Sequence, residues 1–256
     1  MLAIIGGTGL TNLANLEISR REVVRTPYGE PSGHLTFGHI GSAEMVFLAR
    51  HGYAHTLPPH QVNYRANIWA LRNAGVTRIL AINAVGGISA EMGPGALAVP
   101  DQIIDYTRDR KHTFYEGEEP VTHVDFTFPF CARGRQLLLS AAKAAGFPVL
   151  ESGTVGVMQG PRLETRAEII KLDRDGCSIV GMTTMPEAVL AREKKISYAA
   201  LALSINHAAG LASSATGIKL ADADTVMAAG MDKVRVILAR AVEMHAGLPD
   251  SEKGLA

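Results

Sequence analysis

Three short turns in this chain combine glycine with groups that bind anions. The first, Gly6-Gly7-Thr8-Gly9, directly follows the apolar run Leu2–Ile5. Glycine lets backbone amides crowd around an anion, and the Thr8 hydroxyl adds a donor. The second, Asn83-Ala84-Val85-Gly86-Gly87, stands where another apolar run ends, and at the third Arg50 and His51 precede Gly52. A guanidinium fork beside an imidazole suits a phosphate dianion. One glycine turn alone is most often structural. Three of them, each after a strand, point to a shared anion site, because the carboxyl ends of strands form the ligand crevice of open α/β sheets. The spacing at Gly6–Gly9 is not G-x-G-x-x-G, and no plausible second strand near position 30 closes on an acidic residue, which argues against a dinucleotide. No Gly-Lys-Ser/Thr follows either, so the turn is not a Walker loop.

The elements that must carry these turns are short runs rich in Val, Ile and Leu alternating with longer amphipathic stretches. That pattern predicts an α/β fold with a mainly parallel or mixed sheet covered by helices. Strands are expected at Leu2–Ile5, Glu44–Leu48, Arg78–Asn83, Leu97–Ile104, Leu150–Met158, Ser178–Gly181 and Ser197–Ile205. Helices are expected at Gln61–Ala74, Arg133–Ala145, Thr165–Asp175, Glu187–Lys194 and Asp222–Met244. In the last, Met227, Met231, Val234, Leu238 and Ala241 recur at helical steps. The segment Asp105–Pro129 has no clear periodicity and reads as a long ordered excursion or a flexible lid.

A chain of 256 residues with 47% hydrophobic and 20% charged residues can bury a sizeable core, so one domain over residues 1–247 is expected, with a fraying tail at 248–256. Lys+Arg and Asp+Glu both number 25, and no overall field would draw the chain to nucleic acid or a membrane. A small, locally recognised ligand is expected instead. Cys131 and Cys177 are too few and too far apart for a disulfide framework or a zinc knuckle, and the N-terminal run breaks at glycine without a basic region before it. Both features predict a cytoplasmic protein. His51 and His55 flank Gly52 in a glycine-interrupted segment, so no metal site is expected there.

The ordered blocks of this chain resemble those of the trimeric purine nucleoside phosphorylase and methylthioadenosine phosphorylase family. The matching stretches are Ile4–Leu10, Arg50-His51-Gly52 with His55-Thr56, Val62–Leu71, Asn83–Gly86, Gln159–Glu168 and Gly181–Glu187. The resemblance covers about nine tenths of the chain, and a set of blocks in this order is highly specific. The resemblance implies a single domain with a mixed, twisted and partly barrel-like sheet flanked by helices, assembled as a homotrimer. It implies cleavage of a purine nucleoside by inorganic phosphate, the co-substrate, with no metal and no organic cofactor.

Carried over by position, the resemblance makes Thr8, Arg50, His51, Asn83, Ala84 and Thr183 phosphate contacts. By the same resemblance Met182 would pack under the ribose, and His123 would reach a neighbouring subunit's site. Leu163, Glu164, Asn206, His207, Ala208, Ile218, Ala223 and Val226 belong to the substrate site. Relatives acting on 6-aminopurines carry Asp where this chain has Asn206. A carboxamide can donate to an exocyclic oxygen and turn its carbonyl toward N7–H, and the Glu164 carboxylate can accept the N1–H that only 6-oxopurines have. Asn206 and Glu164 are therefore the expected catalytic and base-reading pair.

The sugar end lacks the His that nucleoside-specific relatives place near the start of the last helix. Ala223, Val226 and Ile218 would instead make an apolar pocket, which favours methylthio over hydroxyl at the 5′ position. The combination predicts S-methyl-5′-thioinosine as substrate. Inosine or guanosine phosphorolysis, methylthioadenosine phosphorolysis and a non-catalytic purine sensor remain as alternatives. Three local features stay open: His207 faces the base or is an ordinary strand-end residue, Thr184 caps a helix, and Glu168 and Glu187 are first-turn helix acids.

Overall fold

The computed structural model describes residues 1–11, 13, 15–117 and 120–249. Among the described residues, ten strands and five α-helices follow one another. The first half contains β1 (Leu2–Gly6), β2 (Glu17–Glu22), β3 (Leu35–Ile40), β4 (Ala43–Ala49), α1 (Tyr64–Asn73), β5 (Arg78–Gly87), β6 (Leu97–Ala98) and β7 (Gln102–Asp105). The second half contains α2 (Ala132–Ala144), β8 (Thr154–Val157), α3 (Arg166–Arg174), β9 (Cys177–Gly181), α4 (Thr184–Glu193), β10 (Ser197–His207) and α5 (Leu220–Ala246).

The strands form one sheet in the order β2-β3-β4-β1-β5-β9-β8-β7, with β10 on the other edge of β5 and β6 beyond it. Pairings β1–β4, β1–β5, β10–β5, β7–β8 and β8–β9 are parallel, whereas β2–β3, β3–β4, β10–β6 and β5–β9 are antiparallel. The sheet branches at β5, which pairs with β1, β10 and, at its carboxyl end, β9.

Continuous apolar strands make sense in such a sheet because both faces are covered. Ala3 and Ile5 of β1 pack into one buried cluster with Ile68 and Leu71 of α1 and Leu190 of α4. Leu2 and Ile4 point the other way, into a second cluster with Leu138 of α2 and Met231, Val234 and Leu238 of α5. The expected periodicity of α5 is thus the face that closes this second layer.

Two expectations change. The predicted strand Leu97–Ile104 is broken into β6 and β7 around Pro100, which has no N–H for a ladder. Likewise Leu150–Met158 contracts to the four residues of β8. Strands β2 and β3 were not expected: every residue of β2 is exposed, so Glu-Ile-Ser-Arg-Arg-Glu shows no apolar alternation. The excursion after β7 is tied to α4 and α1 over Thr113–Glu116. Thr113 Oγ1 and the Phe114 amide each donate to Glu193, both at 2.7 Å, and Arg65 bonds Glu116 at 2.7 Å. Helix α5 ends at Ala246 with Gly247 at its C-cap, and of the tail expected at 248–256, residues 250–256 lie outside the described residues.

Candidate active site

Because β1, β4, β5 and β10 run parallel, their carboxyl ends gather on one side. Gly6 pairs with Ala49 and Ile5 with Ala81, so Arg50 emerges beside Gly7 and Ile82. A cavity of about 530 Å³ opens there, within the range of small-molecule sites. Eleven of the expected residues line it: Thr8, Arg50, His51, Ala84, Leu163, Glu164, Met182, Thr183, Asn206, Ala208 and Ile218.

Arg50 is fully buried. Its Nε and Nη2 donate to the two carboxylate oxygens of Glu187 at 2.7 Å each, and Nη1 donates to the Ile82 carbonyl at 2.8 Å. Tyr198 donates to Glu187 Oε1 at 2.8 Å. Burial works against the Arg50 charge, but the Glu187 carboxylate outweighs it and raises the pKa of Arg50 above its ordinary value. Glu187 therefore departs from the expectation of an ordinary first-turn acid: it is wholly buried and serves as the countercharge of Arg50. An acid amid Met185, Ala188 and Leu190 was the signal available for this. The close approach also explains Gly7, where a Cβ would stand 2.9 Å from Arg50 Nη1 and 2.5 Å from the Ile82 carbonyl oxygen.

His51 Nδ1 lies 2.7 Å from the Leu57 carbonyl, which can only accept, so the proton sits on Nδ1 and Nε2 is an acceptor. Burial first, then the Arg50 charge, pushes the His51 pKa down to about 4. The imidazole is therefore neutral, and it lines the cavity beside Arg50. Thr8 Oγ1 meets His55 Nε2 at 3.2 Å. Asn83 does not line the cavity: its Nδ2 donates to Thr183 Oγ1 at 2.9 Å from behind. Thr183 thereby accepts one bond and keeps its own O–H free to donate into the cavity. Asn83 Oδ1 is buried without a partner among the described residues.

Helix α4 does not start with a Thr184 cap. Thr183 is the N-cap without a side-chain cap bond, and Met185 at φ −109°, ψ 138° interrupts the first turn ahead of Pro186.

Glu164 and Asn206 reach the cavity from different elements. Thr165 and Glu168 form a capping box at the start of α3, with Thr165 Oγ1 accepting from the Glu168 amide at 3.1 Å and Glu168 Oε2 accepting from the Thr165 amide at 2.7 Å. This fixes the residue before it, Glu164, whose side chain is buried and whose pKa is raised by that burial. Glu168 is the ordinary helix acid expected, also paired with Arg162 at 2.7 Å.

Asn206 follows a register shift between Ser204 and Asn206 of β10. Such a bulge re-aims a side chain. Its Nδ2 donates to the His207 carbonyl at 2.6 Å, which leaves Oδ1 and one N–H for a ligand.

Besides Asn83, four expected residues stand apart from the cavity. His207 Nδ1 bonds Ser213 Oγ at 2.8 Å, which tethers it at the strand end, and it is not among the residues that line the cavity. Ala223 is packed in the first turn of α5 and Val226 is half-buried one turn on, and neither lines the cavity, so the apolar 5′ wall within one chain reduces to Ile218. His123 is exposed on the excursion, away from the cavity of its own chain.

A cavity at the carboxyl ends of parallel strands is where open α/β sheets take their ligands. The model of the Phosphorylase superfamily matches residues 1–243, and the chain belongs to that family. A probable S-methyl-5′-thioinosine phosphorylase of Pseudomonas syringae pv. tomato is 53% identical over 239 residues, 93% of this chain and 96% of that one. The 6-oxopurine nucleoside phosphorylase of Pyrococcus furiosus is 45% identical over 266 residues, covering 99% and 98%. Among solved structures, methylthioadenosine phosphorylase from Schistosoma mansoni in complex with adenine superposes with a TM-score of 0.94 at 33% identity, covering 98% of this chain and 94% of that one.

Proposed function

We propose that the protein cleaves S-methyl-5′-thioinosine with inorganic phosphate, giving hypoxanthine and 5-methylthioribose 1-phosphate. The observation that carries this reading is the pairing of an amide, Asn206, with a carboxylate, Glu164, in one cavity with an anion turn. Phosphate attacks the anomeric carbon as the glycosidic bond breaks, and positive charge grows on the sugar while negative charge grows on the purine. Thr8, Arg50 and Thr183 hold the phosphate by hydrogen bonds, which supplies effective molarity without acid–base chemistry. The proton that hydrogen phosphate gives up as its oxygen bonds the anomeric carbon passes through solvent to N7 of the departing purine. Glu164 accepts N1–H, and Asn206 Oδ1 accepts the new N7–H while its remaining N–H donates to the exocyclic oxygen. A 6-aminopurine offers a lone pair at N1 and an amine at C6, so both groups are mismatched.

The relatives named for methylthioinosine support the same substrate. A second reading, phosphorolysis of 5′-hydroxyl nucleosides such as inosine, is favoured by the absence of Ala223 and Val226 from the cavity wall. In the proposed homotrimer, His123 of a neighbouring copy would complete that end. The reaction takes place in the cytoplasm and uses neither a metal nor an organic cofactor.

Incubation with methylthioinosine and phosphate is expected to release hypoxanthine and a sugar 1-phosphate in equal amounts, and to release neither without phosphate. Release without phosphate, or inosine turnover as fast as that of methylthioinosine, contradicts the assignment.

A further inference from the structure

The ladder between β8 and β9 ends at the pair Val157 and Gly181, closed by the Met158 amide bonding the Gly181 carbonyl at 2.8 Å. Beyond it the two chains part: one runs through Gln159 to Glu164, the other through Met182 and Thr183 into α4. The carbonyls exposed by this parting turn toward a single side chain, Arg110, which is 8% exposed. Its Nη1 donates to Met182 O at 2.8 Å and Met185 O at 2.7 Å, and its Nη2 donates to Gln159 O at 2.7 Å and Met158 O at 3.4 Å. Its Nε donates to Gln159 Oε1 at 3.1 Å. All five guanidinium donors are used, and every acceptor is neutral.

We propose that Arg110 is a positioning residue that locks the phosphate turn around Thr183 to the loop that carries Glu164. It takes over where the strand ladder stops and sets the separation of the two substrate-binding ends. The arrangement has costs that packing alone does not explain. A buried guanidinium bonded to no carboxylate among the described residues is expensive, and burial lowers its pKa. The preceding residue, Asp109, is held at φ 56°, a conformation seldom adopted by non-glycine residues. Only a planar fork with five donors spans four carbonyls on two separate segments, and a lysine ammonium cannot do so from one point.

The inference rests on the phosphorolysis reading, so wild-type turnover is measured alongside. Absence of wild-type turnover removes that reading, whereas normal turnover with an unaffected variant removes only this proposal. In the full-length chain, Arg110→Ala is expected to lower kcat by on the order of 100-fold while each KM stays within about threefold, since both ligands still bind but are misaligned. Guanidinium chloride at millimolar concentration should restore kcat by at least about tenfold, and sodium chloride at equal ionic strength should not. Arg110→Lys, folded by circular dichroism, should stay as slow as the alanine variant. A folded variant of either kind with wild-type kcat overturns the proposal. So does a loss of rate that active-site titration traces wholly to a smaller fraction of folded enzyme.

Discussion

Asn206 and Glu164 are held by different means, and the difference predicts different failures. Asn206 is oriented by a hydrogen bond to the neighbouring carbonyl, so its amide cannot flip without losing that bond. Glu164 is held by position and is pushed toward its protonated form by burial, above the 4.5 of an ordinary glutamate. A protonated carboxyl would present O–H where N1–H must donate. The kcat/KM for a 6-oxopurine nucleoside is therefore expected to be full at neutral pH and to fall as pH drops through the raised Glu164 pKa. That acid limb should vanish in Glu164→Gln, as a pH–rate profile of both proteins would record. His51, pushed down to about 4, stays neutral across the same range and adds no limb near its usual 6.5. At the anion end, Glu187→Gln leaves the buried Arg50 without its countercharge, which costs about 3 kcal/mol of stability in urea unfolding. Saturating phosphate should raise the Tm of this variant more than that of the wild type, because the dianion then becomes the countercharge.

Elements explain why these side chains meet. The parallel alignment of β1, β4, β5 and β10 delivers Thr8, Arg50, Ala84 and Asn206 to one edge, and the β10 bulge turns the last of them inward. The capping box of α3 does the same for Glu164 from the side. Thr165→Ala is expected to cost about 1 kcal/mol by denaturant unfolding and to raise the KM for the nucleoside, with Thr165→Ser restoring both. Much of this frame was legible because the central strands are buried on both faces and read as unbroken apolar runs, as at Leu2–Ile5 and Ser197–Ile205. The edge strand β2 was not, since a fully exposed strand carries no pattern to detect. The split of Leu97–Ile104 followed from Pro100, a local signal that the apolar run masked.

At the scale of the molecule, the anion end and the base end were legible from turn chemistry and from the family blocks, whereas the couplings between distant residues were not. Glu187 meets Arg50 across 137 positions, and Arg110 meets Met182 across 72, separations at which sequence spacing carries no signal. At the sugar end, Ala223 and Val226 lie outside the cavity of one chain, and only Ile218 of the three expected there lines it. The excursion that carries His123 also exposes Val121 and Phe128, which are 83% and 70% accessible. Apolar side chains this exposed suit an interface between copies. Sedimentation equilibrium should give a trimer, and Phe128→Asp should yield smaller species with lower activity. A monomeric wild type would contradict the proposed assembly.

The central claim is that the amide at position 206 and the carboxylate at 164 select a 6-oxopurine. The ratio of kcat/KM for methylthioinosine to that for methylthioadenosine, measured at saturating phosphate for the wild type and Asn206→Asp, tests it most directly. The account predicts a wild-type ratio on the order of 100 or more that falls at least about tenfold in the variant, since mismatched polar groups in such a site are costly. A wild-type ratio near one, or a variant that keeps the wild-type preference, would contradict it.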